Sequence, residues 1–234
     1  MNRGDRRERI FMDDADRQRF VDTLGEVCAY VLMPNHFHWV VETPQPNLVA
    51  GMKWLLGTYT RCFNRRHKLF GHLFSGRYKS MIVDGSGSGY LKSVGDYVHL
   101  NPARAKLVVA DVPLKSFAWS SWPAYLLARS KRPAWFRVDR LLGAWGIPED
   151  SPEGRQRLEQ ALEELIIAED LKRGRWQEAD LKTRPKGDSV KVALAARLRA
   201  ETTMTVGWIA ERLAMGTRGY LNHLLYRRRK RGGK

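Results

Sequence analysis

Between Tyr30 and Pro44 the chain reads YVLMPNHFHWVVETP, two apolar runs parted by Pro34 and Asn35. Proline presets a turn dihedral and asparagine tolerates the left-handed region, so the pattern predicts a hairpin, with AYVLM incoming and HFHWVVET outgoing. Side chains alternate along a strand. Phe37, Trp39 and Val41 therefore share one face, while His36 and His38 project together from the other. Upstream, Asp13 to Leu24 predicts a short helix: Asp13 and Asp14 suit its positive end, and Phe20 and Leu24 fall four apart. Downstream, Leu48, Met52, Leu55, Tyr59 and Cys62 or Phe63 recur at helical spacing up to His67, with Lys53, Arg61, Arg65, Arg66 and His67 on the polar side. Gly71 to Gly85 reads as a loop running into a strand, and Gly85 to Gly89 as a flexible link. Leu91, Val94 and Val98 predict a further helix that Pro102 is expected to end or kink. Tyr97 then lies in its last turns, and Asn101, four residues on, shares its face.

The pattern changes after Phe117. Trp119, Trp122, Trp135 and Trp145 are interleaved with Arg129, Lys131, Arg132, Arg137 and Arg140, and both stacking on unpaired bases and ordinary packing remain open. Ser151 to Lys172 predicts a charged helix linking two halves. Met204 to Arg231 predicts two helices about a break at Met215 and Gly216. Ile209, Ala210 and Leu213 face inward from the first, and Leu221, Leu224 and Leu225 from the second. This is the outline of a helix-turn-helix, although a plain helical hairpin has the same pattern. In the first reading Thr217, Arg218, Tyr220 and Asn222 lie on the outer side of the second helix. Arg227, Arg228 and the cations after them form either a phosphate-binding tail or a solvated basic end.

Composition narrows the class. Hydrophobic residues at 43% and aromatics at 10% exclude a disordered chain, and no apolar run is long enough to cross a bilayer. The start is charged and lacks an apolar signal core, so a cytoplasmic location is expected. Two cysteines, Cys28 and Cys62, are too few for a disulfide framework or a cysteine zinc site. The balance of 41 Lys+Arg against 25 Asp+Glu, a net +16, points to a polyanionic partner, nucleic acid first. No lipidation motif or basic amphipathic helix at the start favours a membrane surface, and no small-molecule substrate is indicated.

Taken singly, neither the two histidines nor Tyr97 requires chemistry, since buried imidazoles and phenols are often only hydrogen-bonded. Three ordered blocks, YVLMPNHFHWVVETP, FNRRHKLFGHLFSGRYKS and YVHLNPARAKLV, together resemble the single-tyrosine HUH transposases, in particular the REP-associated tyrosine transposase branch. The resemblance runs from Asn2 to about Trp122. It implies an α+β, ferredoxin-like domain, an antiparallel sheet with helices and usually dimeric, that cleaves and rejoins single-stranded or hairpin DNA. By the same resemblance His36 and His38 hold a divalent metal, Mg²⁺ or Mn²⁺, with Asn101 in the place of a third ligand. Tyr97 is then the nucleophile, forming a covalent 5'-phosphotyrosine. Arg61, Arg65, Arg66, Arg77, Lys79 and Arg104 are candidates for the DNA backbone.

Compared with that family, the chain starts at "NRG" without the strand expected before it, and LGEVCAYVLMPN leaves little room between helix and hairpin. The sheet is therefore expected to lack its first strand and to leave the H-x-H strand unpaired on one side. The expected organisation is a catalytic domain over 1–125, a helical connector over 126–175 and a basic, all-α helix-turn-helix segment over 176–234. The alternative is a relative that has lost turnover and acts only by binding specific DNA.

Overall fold

The computed structural model describes residues 1–23, 27–84, 89–105, 107–108, 114–201 and 205–232. They form two compact units, one of Met1–Asn101 with Ala118–Gly154, the other of Pro102–Phe117 with Arg155–Lys234.

The first unit is α+β. Strands β1 (Asn2–Arg3), β2 (Val27–Met33) and β3 (His36–Val41) make an antiparallel sheet in the order β1-β3-β2. The hairpin turns at Pro34 and Asn35, and Met33 pairs with His36. A first strand is thus present, against the expectation. It is only two residues long, with Asn2 opposite Phe37 and Arg3 opposite His36, too short for any periodicity to announce it. Residues 73–79 then run antiparallel beside it: Ser75 N donates to the Arg3 carbonyl at 2.8 Å and Asp5 N to that of Leu73 at 2.9 Å. These bonds satisfy β1, but the strand expected after Gly71 does not form, and only the Gly4–Phe74 bridge marks it. The expected tight connector at Leu24 to Glu26 and most of the Gly85 to Gly89 link lie outside the described residues.

Helix α1 (Asp14–Val21) is capped by Asp13, whose carboxylate accepts from Asp16 N, and α2 spans Leu48–His67. Phe20 of α1, Phe37 of β3 and Met52, Leu55, Tyr59 and Phe63 of α2 share one core with Ile10, Phe11 and Phe74. The Phe20 ring lies 4.8 Å from Phe37 and 5.1 Å from Tyr59. The Tyr59 hydroxyl donates to the Ile10 carbonyl at 2.6 Å, so the phenol is not left unsatisfied inside.

Helix α3 covers Tyr90–Arg104 and runs through Pro102 instead of stopping before it. A proline two residues from the end removes one late hydrogen bond, too little to break the last turn. Helices α4 (Trp122–Leu126) and α5 (Asp139–Ala144) complete this unit. The tryptophans here pack: Trp122 is buried, Trp119 and Trp135 lie against the core, and Trp145 lies beneath the Lys92 ammonium at 3.6 Å. Arg132, among the cations considered for stacking, instead donates to the Ala124 and Tyr125 carbonyls of α4 and pairs with Asp150.

The second unit contains helices α6 (Pro152–Gly174), α7 (Glu178–Thr183), α8 (Ser189–Glu201), α9 (Val206–Arg212) and α10 (Arg218–Gly232). Leu158, Leu162, Ile166, Ile167 and Leu171 of α6 are all buried. Its apolar stripe, diluted by charge in the sequence, makes it a core helix of this unit and not a solvated linker. Arg212 of α9 forks onto Glu164 and Glu178 at 2.8 Å each.

Candidate functional site

His36 and His38 stand on one face of β3, their ring centroids 5.1 Å apart. Strand alternation puts them opposite Phe37, so the core claims Phe37 and leaves the imidazoles half-buried on the other side. The turn residue Asn35 orients the first of them. Its Nδ2 donates to the Arg7 carbonyl at 3.0 Å, which turns Oδ1 to His36 Nδ1, 2.7 Å away. A carbonyl oxygen only accepts, so the His36 proton sits on Nδ1 and Nε2 keeps its lone pair. Burial, and then the Arg3 charge, hold the His36 pKa below the usual imidazole range. His38 is brought down to about 4 by burial first, then by His36, the chain-terminal ammonium and Arg3. Both rings are therefore neutral at pH 7, the form a metal ion requires of imidazole.

Tyr97 reaches this pair from α3. Its ring meets His38 edge-on, with centroids 5.3 Å apart and planes at 80°, and it is 45% exposed, open to a substrate. Two contacts fix the helix that carries it. Gly95 lies so close to α5 that a Cβ there would come within 2.4 Å of Leu141 Cδ1. On another side of α3, buried His99 bonds Ser121 Oγ at 2.9 Å. Ser121 Oγ in turn accepts from Tyr30 N at 2.9 Å and donates to the Tyr30 carbonyl at 3.2 Å, tying α3 to β2. Burial lowers the His99 pKa to about 3, so the ring stays neutral and acts as a strut between α3 and β2. Asn101 lies one helical turn beyond Tyr97 and is 8% exposed.

Among the described residues no group of three or more His, Cys, Asp or Glu side chains is placed to hold a metal. An ion would have to take two nitrogens from His36 and His38 and fill its remaining positions with amide, water or phosphate oxygens. That mixed nitrogen and oxygen set fits a borderline-to-hard divalent ion, nearer Mn²⁺ than Mg²⁺. Both cysteines are free, and burial raises the Cys28 thiol to about 11, so neither supplies a thiolate cluster.

The cations anticipated for DNA divide into two groups. Arg61, Arg65, Arg77 and Lys79 are exposed. Arg66 is instead committed to the fold. It forks onto Asp13 and reaches buried Asp16, which also bonds His67 Nε2 at 2.8 Å, and these carboxylates hold its pKa above the usual value. The partners lie some fifty residues upstream, beyond any local pattern. Arg104 occupies the last turn of α3, in the second unit, and is half-buried. On α2 a groove of about 570 Å³ is lined by Ala50, Lys53, Trp54, Gly57, Thr58 and Arg61, with the Trp54 indole exposed between two cations.

In the second unit Thr217, Arg218, Tyr220 and Asn222 are all on the surface around the start of α10. Thr217 Oγ1 accepts from Tyr220 N at 3.2 Å as the cap, and Asn222 Oδ1 accepts from Arg199 at 3.0 Å. Arg227 and Arg228 are exposed further along the same helix. Ile209, Ala210, Leu213 and Leu221 are buried, while Leu224 and Leu225 are only half-buried. The turn before α10 takes left-handed backbone at Ala214 (φ 50°) and Gly216 (φ 90°). Buried Lys191 closes it by donating to the Ala214 and Arg184 carbonyls.

Residues 7–101 match the model of a family described as IS200-like transposases, a stretch containing His36, His38, Tyr97 and Asn101. This segment is similar to the IS200-like, single-tyrosine transposases. No curated protein and no solved structure matches the chain. Transposases of that family act on DNA. No described helix is long and apolar enough to cross a membrane. Arg3 lies outside the matched segment and was not anticipated as a functional residue. Only the sheet register brings it beside the histidines.

Proposed function

We propose that this protein cleaves and rejoins single-stranded or hairpin DNA through a covalent 5'-phosphotyrosine on Tyr97. What carries the reading is the contact of the Tyr97 ring with His38, itself beside His36, inside the family-matched segment. The Tyr97 Oη gives up its proton to water and attacks the phosphorus, a new O–P bond forms, and the P–O3' bond breaks to release a 3'-hydroxyl whose oxygen takes a proton from water. Attack by that hydroxyl on the phosphotyrosine reverses the step, so bond energy is conserved for rejoining. His36 and His38 would hold the metal, with the Asn101 amide as a third ligand. When bound, the ion supplies polarisation of the phosphoryl oxygens.

The ferredoxin-like character and the REP-associated branch rest on the three motif blocks, and a homodimer on the same resemblance. A helix-turn-helix reading of α9 and α10 is supported by buried Ala210 at the helix crossing and by the exposed Arg218 and Tyr220 at the start of α10. Arg61, Arg65, Arg77 and Lys79 would bind the backbone of the strand, and Trp54 would stack an unpaired base between Lys53 and Arg61.

The test is a gel assay with Mn²⁺ and labelled hairpin-bearing single strands. A protein–DNA adduct that resists denaturation and vanishes in Tyr97→Phe is expected. Binding without an adduct under any divalent metal would leave a DNA-binding relative that has lost turnover.

A further inference from the structure

Arg3 is the residue of the histidine face that nothing in the reaction above uses. It lies opposite His36 in the antiparallel β1–β3 ladder, and residues directly opposite one another project from the same face of a sheet. Its side chain is therefore on the side of His36, His38 and, through the His38 contact, Tyr97. The charge of Arg3 also helps to lower the proton affinity of both imidazoles. Its Nε is buried and meets no acceptor, and no carboxylate among the described residues pairs with it. Other arginines of this unit behave differently: Arg66 has Asp13 and Asp16, and Arg132 has Asp150 and backbone carbonyls.

A half-buried cation without a counterion is costly to maintain, and the cost disappears when an anion arrives. The groups shown on this face, two imidazoles and a phenol, carry no negative charge, and no salt bridge to Arg3 is formed among the described residues. A guanidinium presents a planar fork of donors that matches two phosphate oxygens. We propose that Arg3 grips the scissile phosphodiester, holding two of its non-bridging oxygens so that the phosphorus faces Tyr97. This rests on the reading of Tyr97 as nucleophile and adds a phosphate-binding residue on the strand next to the histidines. Held in this way, the phosphate loses part of the anionic charge that repels the incoming phenol oxygen.

The experiment has two arms, both on the full chain. In the first, inorganic phosphate is titrated without metal while the His36 and His38 ring resonances are followed by NMR. A saturable shift is expected for the wild type, a weaker one for Arg3→Lys and none for Arg3→Gln. An unchanged response in Arg3→Gln, or none in the wild type, overturns the proposal. In the second, adduct formation is timed with the hairpin-bearing strand and Mn²⁺. Arg3→Gln is expected to be slowed by about 100-fold, as for loss of one donor to a reacting oxyanion, with Arg3→Lys between. Oligonucleotide affinity should change far less, because one phosphate among many is affected. Adduct formation at the wild-type rate in Arg3→Gln overturns the proposal while leaving Tyr97 in place. Absence of any wild-type adduct overturns the Tyr97 reading, and the phosphate titration still decides Arg3. Should Arg3→Gln fail to fold by thermal melting, Arg3→Lys carries both comparisons.

Discussion

The two units divide their arginines differently between internal pairing and display. In the first, several are consumed internally: Arg66 by Asp13 and Asp16, Arg132 by Asp150, and Arg140 by Glu42. In the second, Arg212 is tied to two glutamates, but Arg218, Arg227, Arg228 and Arg229 stand exposed along α10. Net charge alone therefore does not locate a DNA surface. The first unit spends part of its cations on holding an aromatic core and a reactive face in register and keeps Arg61, Arg65 and Arg77 at the surface, whereas the second displays Arg218 and Arg227 to Arg229 along one helix. Chemistry and grip should accordingly separate on mutation.

The sharpest way to break that comparison is Tyr97→Phe. Adduct yield should fall by at least ~1000-fold while oligonucleotide affinity is kept, because one oxygen is removed and no cation is. A parallel fall in affinity would merge chemistry with grip. Acid is the next largest perturbation. His38 and His99 have folded pKa values of about 4 and about 3, below the ordinary imidazole value, so the unfolded chain binds more protons as pH falls. Stability is then full above pH ~6.5 and declines as pH falls toward these values, by on the order of 3 kcal/mol between pH 7 and 4 for His99 alone. Urea melts across that range check it, and a flat profile would contradict the buried neutral strut. Gly95→Val, which pushes a side chain into Leu141, should cost about 2 kcal/mol in the same melts and slow adduct formation by shifting α3. The smallest effect belongs to the other unit. Arg227→Ala with Arg228→Ala should weaken binding several-fold and reduce the slope of log affinity against log salt by ~1 for each phosphate no longer neutralised, with the adduct rate at saturating DNA unchanged.

Local pattern explains which elements are readable. The Pro34–Asn35 hairpin and α2 are legible because alternation, helical spacing and turn chemistry all lie within a few residues. His36, His38 and Tyr97 are legible only as members of ordered motifs, and their meeting at 5.1–5.3 Å is a tertiary fact. What escapes depends on distant partners or on competing signals. Two residues cannot show a strand period, so β1 stays hidden until Phe37 and His36 are placed opposite it. Arg66 reads as a surface cation because Asp13 and Asp16 are far away in the chain. The α6 stripe is obscured by interspersed glutamate and arginine, and Pro102 is a weaker stop than its residue type suggests because a helix's final turn has few bonds left to lose.

Both flanks of the small sheet are already occupied. Leu32 N donates to the Trp119 carbonyl and Ser121 N to the Tyr30 carbonyl along β2, while residues 73–79 border β1. Another copy of the chain cannot dock there as an extra strand without first peeling away a native segment. Covering β1 and β2 in this way removes the two strand edges at which ribbon-like aggregation would otherwise start.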